Sequence, residues 1–117
     1  MTQEQKELLL KDLCSRLPYG VKISVNDKVE TVQGINILDT VVEYDSWLSS
    51  DIEEVKPYLF PLSSMTEEQL LELSSISFEN SIDSSIKTLN WCYKNHFDIN
   101  GLIPKGLAND CTNLNIY

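Results

Sequence analysis

Leu9, Leu10, Leu13, Cys14 and Leu17 recur at intervals of three and four residues, the spacing that lines one face of an α-helix. Thr2 followed by Gln5 supplies a capping box, so a first helix is expected from about Gln3 to Arg16. Pro18 disfavours helical geometry at Leu17, and Tyr19-Gly20 turns the chain. The period then changes to two: Val21, Ile23 and Val25 alternate with Lys22, Ser24 and Asn26, as in a half-buried strand. Asn26-Asp27 provides a turn, Val29, Thr31 and Val32 a second strand, and the β-branched stretch from Ile35 to Tyr44 one or two more. Connections this short suit antiparallel pairing.

Beyond Tyr44 the pattern becomes helical again. Ser50 and Glu53 form another possible capping box, and with Pro57 as its stop a short helix is expected over Asp51 to Lys56. Tyr58-Leu59-Phe60-Pro61-Leu62 reads as a connector pressed onto the core. Thr66 with Gln69 starts the next helix, with Glu67 and Glu68 at its positive end and Leu70, Leu71 and Leu73 on its buried side. Ser74 to Ser81 holds poor helix formers and should break the pattern. A final helix over about Asp83 to His96 places Ile82, Ile86, Leu89, Tyr93 and His96 on one stripe, expected to face the core. Trp91 falls on the opposite side, where the tail from Leu102 to Leu107, turned by Asn100-Gly101, is expected to cover it. These elements imply one α+β domain over residues 1–117: a small antiparallel sheet of about three strands packed with three to four helices.

Composition agrees with a single core. The 117 residues are 42% hydrophobic, 9% aromatic and 23% charged, as in an ordinary globular domain. Charge narrows the partners: nine Lys and Arg against eighteen Asp and Glu leave a formal net charge of −9, which disfavours direct contact with nucleic acid or an anionic membrane. The polar opening residues precede only Leu8-Leu9-Leu10, too brief for a signal-peptide core. Cys14, Cys92 and Cys111 are odd in number and lack the spacing of a disulfide framework, which points to a reducing cytoplasm.

Two stretches look familiar together: Asp51 through Glu68, which contains Lys56-Pro57-Tyr58-Leu59-Phe60-Pro61-Leu62, and Trp91 through His96-Phe97-Asp98 to Gly101-Leu102-Ile103 and Gly106-Leu107-Ala108. With Leu13 and Arg16-Leu17-Pro18-Tyr19-Gly20-Val21 they make about half the chain, which resembles a group of small proteins of Bacteroides-type gut bacteria common in prophage-like regions. The resemblance implies a mobile-element context. That group has no assigned catalytic or binding residues, so none is carried over.

Candidate chemistry is sparse. Cys92 and His96 lie four apart on the last helix and form the one pairing of a nucleophile with a base. A catalytic thiol needs an electropositive setting, whereas Cys92 sits near a helix C-terminus on the apolar side, which favours a packed thiol beside a structural histidine. A zinc site would need that single histidine and the three scattered cysteines to converge, and no metal or cofactor is expected. Gly101 and Gly106 have phosphate-loop spacing, but Lys105 precedes the second glycine and Leu107-Ala108 stands where the loop needs Lys and Ser or Thr. The carboxylate pairs Glu53/Glu54, Glu67/Glu68 and Glu68/Glu72 fall in helix first turns or on polar faces, where solvation is the simpler reading.

Aromatic residues are more suggestive. Trp47, Tyr58, Phe60, Trp91 and Tyr117 exceed what two small faces consume, and Trp47, Tyr58, Phe60 and Tyr117 are the candidates for a partner-binding patch with an acidic rim. The expected function is therefore a non-enzymatic protein-interaction module. The alternatives are an acidic decoy that imitates nucleic acid to occupy a DNA-binding protein, and a small-ligand or enzymatic site around Cys92 and His96.

Overall fold

The computed structural model describes residues 1–78 and 81–117. Helix α1 spans Gln3–Arg16 with the cap its sequence encodes. The Gln5 amide donates to Thr2 Oγ1 over 3.1 Å, and the Thr2 amide donates to Gln5 Oε1 over 2.9 Å. Its buried face carries Leu9 and Leu13 and also the charged Asp12 and Arg16. Pro18 lies in a 3₁₀ turn over Leu17–Tyr19, which Gly20 ends in the left-handed region at φ +70°.

Six strands follow: β1 (Lys22–Val25), β2 (Lys28–Asn36), β3 (Val41–Tyr44), β4 (Ser49–Asp51), β5 (Lys56–Leu59) and β6 (Asn109–Asp110). They form one sheet in the order β4-β3-β2-β1-β5-β6. The turn between β1 and β2 is built as its residues suggest, with Asn26 and Asp27 both at positive φ. All pairings are antiparallel except that of β5 with β6.

The sheet is thus larger than the expected three strands, and mixed. One additional strand, β5, lies where the end of a short helix and the start of a connector were expected, and β4 ends where that helix was expected to begin. Only Asp51 caps a single 3₁₀ turn at Ile52–Glu54, its carboxylate accepting from the Glu53 amide, and the chain is extended again at Lys56. Pro57 is tolerated inside the sheet because β6 pairs only with Tyr58 and Leu59 and has not begun at that position. The short β4 gives little signal: Ser50 is its only buried residue, joined to the Tyr44 hydroxyl over 2.8 Å. β6 becomes a strand only because the tail returns to β5, a long-range pairing with no local pattern.

Helices α2 (Glu67–Ile76) and α3 (Ile82–Lys94) lie in the crossover between β5 and β6. Thr66 and Gln69 close the expected capping box on α2. The expected break from Ser74 to Ser81 begins later, since Ser74 and Ser75 are helical; its positions 79 and 80 lie outside the described residues. On α2, Leu70 and Leu71 are exposed, and Leu73 with Ile76 makes the inward contact.

Over most of its length α3 is turned inside out relative to its apolar stripe, whose last members alone, Tyr93 against Arg16 and His96 against Tyr117, are half-buried. Ile82, Ile86 and Leu89 are 83%, 52% and 49% exposed, whereas Ser84, Trp91 and Cys92 are buried. Trp91 is 7% exposed and stacks on Phe97 at 5.6 Å with planes 11° apart. Its burial is as expected, but it clusters with Phe97, with Leu73 and Ile76 of α2 and with Met65 just before that helix, not with the tail from Leu102 to Leu107. An indole carries far more apolar area than an isoleucine, and the small Ser84 lets the helices approach, its hydroxyl donating to the Ile76 carbonyl over 3.1 Å.

The core is accordingly double. α1, the inner sheet face and the tail residues Leu102, Leu107 and Ala108 enclose one cluster, and Trp91, Cys92 and Phe97 centre another under α2. The buried Asp98 ties the tail down by accepting from the Leu102 and Ile103 amides over 2.8 and 2.9 Å.

Candidate functional site

The aromatic candidates divide into two places. Tyr58, Phe60 and Tyr117 come together where β1 and β5 diverge. Ile23 faces Pro57 and Ser24 faces Lys56, so Lys22 and Tyr58 would form the next rung. Instead the Tyr117 hydroxyl enters it, accepting from the Lys22 amide and donating to the Tyr58 carbonyl, both over 2.9 Å. The Tyr117 ring stacks on His96 and lies 6.1 Å from Phe60, which in turn meets Phe97 at 6.1 Å. This group joins the end of the chain to the sheet, and much of its aromatic area is spent internally.

Trp47 stands elsewhere, at the turn between β3 and β4. The Trp47 amide donates to the Tyr44 carbonyl over 3.0 Å and the Tyr44 amide to the Leu48 carbonyl over 3.1 Å. That is a three-residue hairpin loop, whose last residue adopts the left-handed conformation usually given to glycine. Here tryptophan occupies it at φ +65°, with 92% of its surface exposed and the exposed Leu48 beside it. A bulky residue held in that region costs on the order of 1–3 kcal/mol. No packing offsets the cost.

Acidic groups surround the tip. The Thr31 amide donates to Asp45 over 3.1 Å, Ser46 Oγ donates to Glu30 over 3.0 Å, and Glu43 shares a small cleft with Trp47. Contact with Glu30 and the Thr31 amide hold the Asp45 carboxyl below its ordinary range, while the same contact raises Glu30.

Neither Cys92 nor His96 is activated, and α3 ends at Lys94, short of His96, so the helix expected to carry both on one face does not reach it. His96 follows the helix at φ +63°. Burial first, then the nearby Arg16 and Lys22 charges, push its imidazole down to about 4, while burial raises the Cys92 thiol against the opposing pull of Arg16. Both groups are driven towards their neutral forms, whereas a nucleophilic pair needs thiolate and imidazolium. Cys111 is fully buried, its thiol pushed up to about 11 chiefly by burial.

Sequence reading missed one polar cluster. Arg16 donates to Asp12 through Nε at 2.6 Å and through Nη2 at 3.2 Å, and Nη2 also reaches the Phe97 carbonyl at 2.7 Å. Asn100 donates to Asp12 over 2.8 Å, and the guanidinium lies 5.0 Å from the centre of the Tyr93 ring. The four-residue spacing of Asp12 and Arg16 was its only signal. With both charges fully buried and matched, the cluster joins α1 to the turn after α3.

A groove of about 760 Å³ opens between the β1–β2 turn and β6 and is lined by Asp27, Glu53, Glu54, Lys56 and Asp110. Among the described residues no group of three or more His, Cys, Asp or Glu is placed to hold a metal ion, and no helix is long and apolar enough to cross a membrane. No protein-family model matches the chain, and neither a curated protein nor a solved structure shows significant similarity to it.

Proposed function

We propose that this protein is a non-enzymatic interaction module that anchors a protein partner with the Trp47 hairpin tip, in the mobile-element setting its sequence resemblance implies. One observation carries the reading: a tryptophan takes the glycine position of a tight hairpin, at positive φ, with its indole in water. Folding alone favours glycine there. Tryptophan is a preferred interface anchor, and the carboxylates of Glu30, Glu43 and Asp45 suit an apolar pocket rimmed by basic groups.

The test compares the wild-type chain with Trp47→Gly as baits in lysate of the encoding organism, at low and high salt. Trp47→Gly should fold with equal or greater stability, by up to about 1 kcal/mol. It should also lose a partner that wild type retains at high salt. A captured set unchanged by Trp47→Gly would overturn the reading. Capture that vanishes with salt and ignores Trp47 would favour the acidic decoy, whose binding is electrostatic.

A further inference from the structure

We propose that the outward stripe of α3 is a self-association surface, and that its occupant is α3 of a second copy, packed antiparallel across a two-fold axis. The exposed Ile82, Ile86 and Leu89 and, after them, the half-buried Tyr93, whose inner side covers Arg16, repeat at helical spacing over roughly 16 Å of helix. This stripe is symmetric about its own middle. Turned end for end on itself between Lys87 and Thr88, it sets Ile82 opposite Tyr93 of the second copy and Ile86 opposite Leu89.

The charges on one flank obey the same symmetry. Asp83 and Lys94 lie on the same side of the stripe, at opposite ends of the helix. Antiparallel helices bring like flanks together, so each Asp83 approaches the other copy's Lys94. Parallel packing would instead set this flank against the one bearing Ser81 and Ser85, which offers no charge. The two Lys87 side chains approach the axis, each held by its own Asp83 at 3.1 Å. Opposed helix dipoles add to the antiparallel choice.

This surface is separate from the Trp47 tip. A single-helix contact is small beside a standard interface, and the net charge of −9 opposes association, so the dimer is weak and concentration dependent.

Sedimentation equilibrium of the full chain up to about 1 mM, in 150 mM salt, tests the proposal. Wild type and Trp47→Gly should dimerise alike. Ile86→Asp, at an exposed position that keeps its helical circular dichroism, should weaken association at least about tenfold. Asp83→Lys and Lys94→Asp should each weaken it, and the double exchange should recover the loss. A monomer throughout the range, a dimer indifferent to Ile86→Asp, or a double exchange no better than its single components would overturn the proposal.

Discussion

The ring of Tyr117 lies flat on the imidazole of His96, with centroids 3.6 Å apart and planes 8° from parallel. The stack, together with the hydroxyl bridge from Lys22 to Tyr58, shields the imidazole and the strand rung at once. A pH dependence follows. His96 titrates near 4 when folded against an ordinary 6.5, so between those values the unfolded chain binds a proton that the folded chain refuses. The His96 contribution to stability is therefore complete above about 6.5 and is lost as pH falls through 4. His96→Asn, which tolerates the positive φ, should flatten urea midpoints across that window. A slope identical to wild type would show that His96 does not set it.

Asp12 and Arg16 are both fully buried and matched, so removing one leaves the other charged without a counterion. Asp12→Ala should destabilise by about 3 kcal/mol or more, whereas the double change Asp12→Leu with Arg16→Met should cost less than that single change. Equal denaturant midpoints for the single and double variants would contradict this.

Much of the fold was legible where local signals and burial agreed. α1 carried its cap, its apolar face and its proline stop in consecutive residues, and Asn26-Asp27 stated the first turn outright. β5 was hidden because Pro57 reads as a breaker, and nothing local shows that its missing amide has no partner. α3 misled in another way: periodicity identifies the apolar stripe but not which face the rest of the chain covers. Trp91, with Phe97 six residues on, outweighed Ile82, Ile86 and Leu89. Of the candidate site, exposure of Trp47 was guessed from aromatic surplus. Its glycine-like backbone depends on hairpin register and was not readable.

The inside-out arrangement of α3 predicts an inverted mutational profile. Trp91→Ala should cost about 3–5 kcal/mol, while Ile86→Ala and Leu89→Ala in dilute solution should cost about 1 kcal/mol or less. Urea denaturation of the three variants decides it, and the reverse order would mean that the stripe is the buried face.

The thiols rank by burial. Cys14 is partly exposed at a shallow apolar cleft on α1, whereas Cys92 and Cys111 are enclosed, Cys111 with its thiol near 11. Iodoacetamide should modify Cys14 first and reach the other two only on unfolding, as resolved by peptide mass spectrometry. Early labelling of Cys111 would contradict the docking of the tail.

The most direct measurement uses a Trp91→Phe chain, in which Trp47 is the only tryptophan. Alone, its emission should be that of an indole in water and be freely quenched by acrylamide. On addition of the salt-resistant partner captured by wild type, the emission should shift to the blue and the quenching should fall. A Trp47 that remains water-like and quenchable in the bound complex would contradict the anchor.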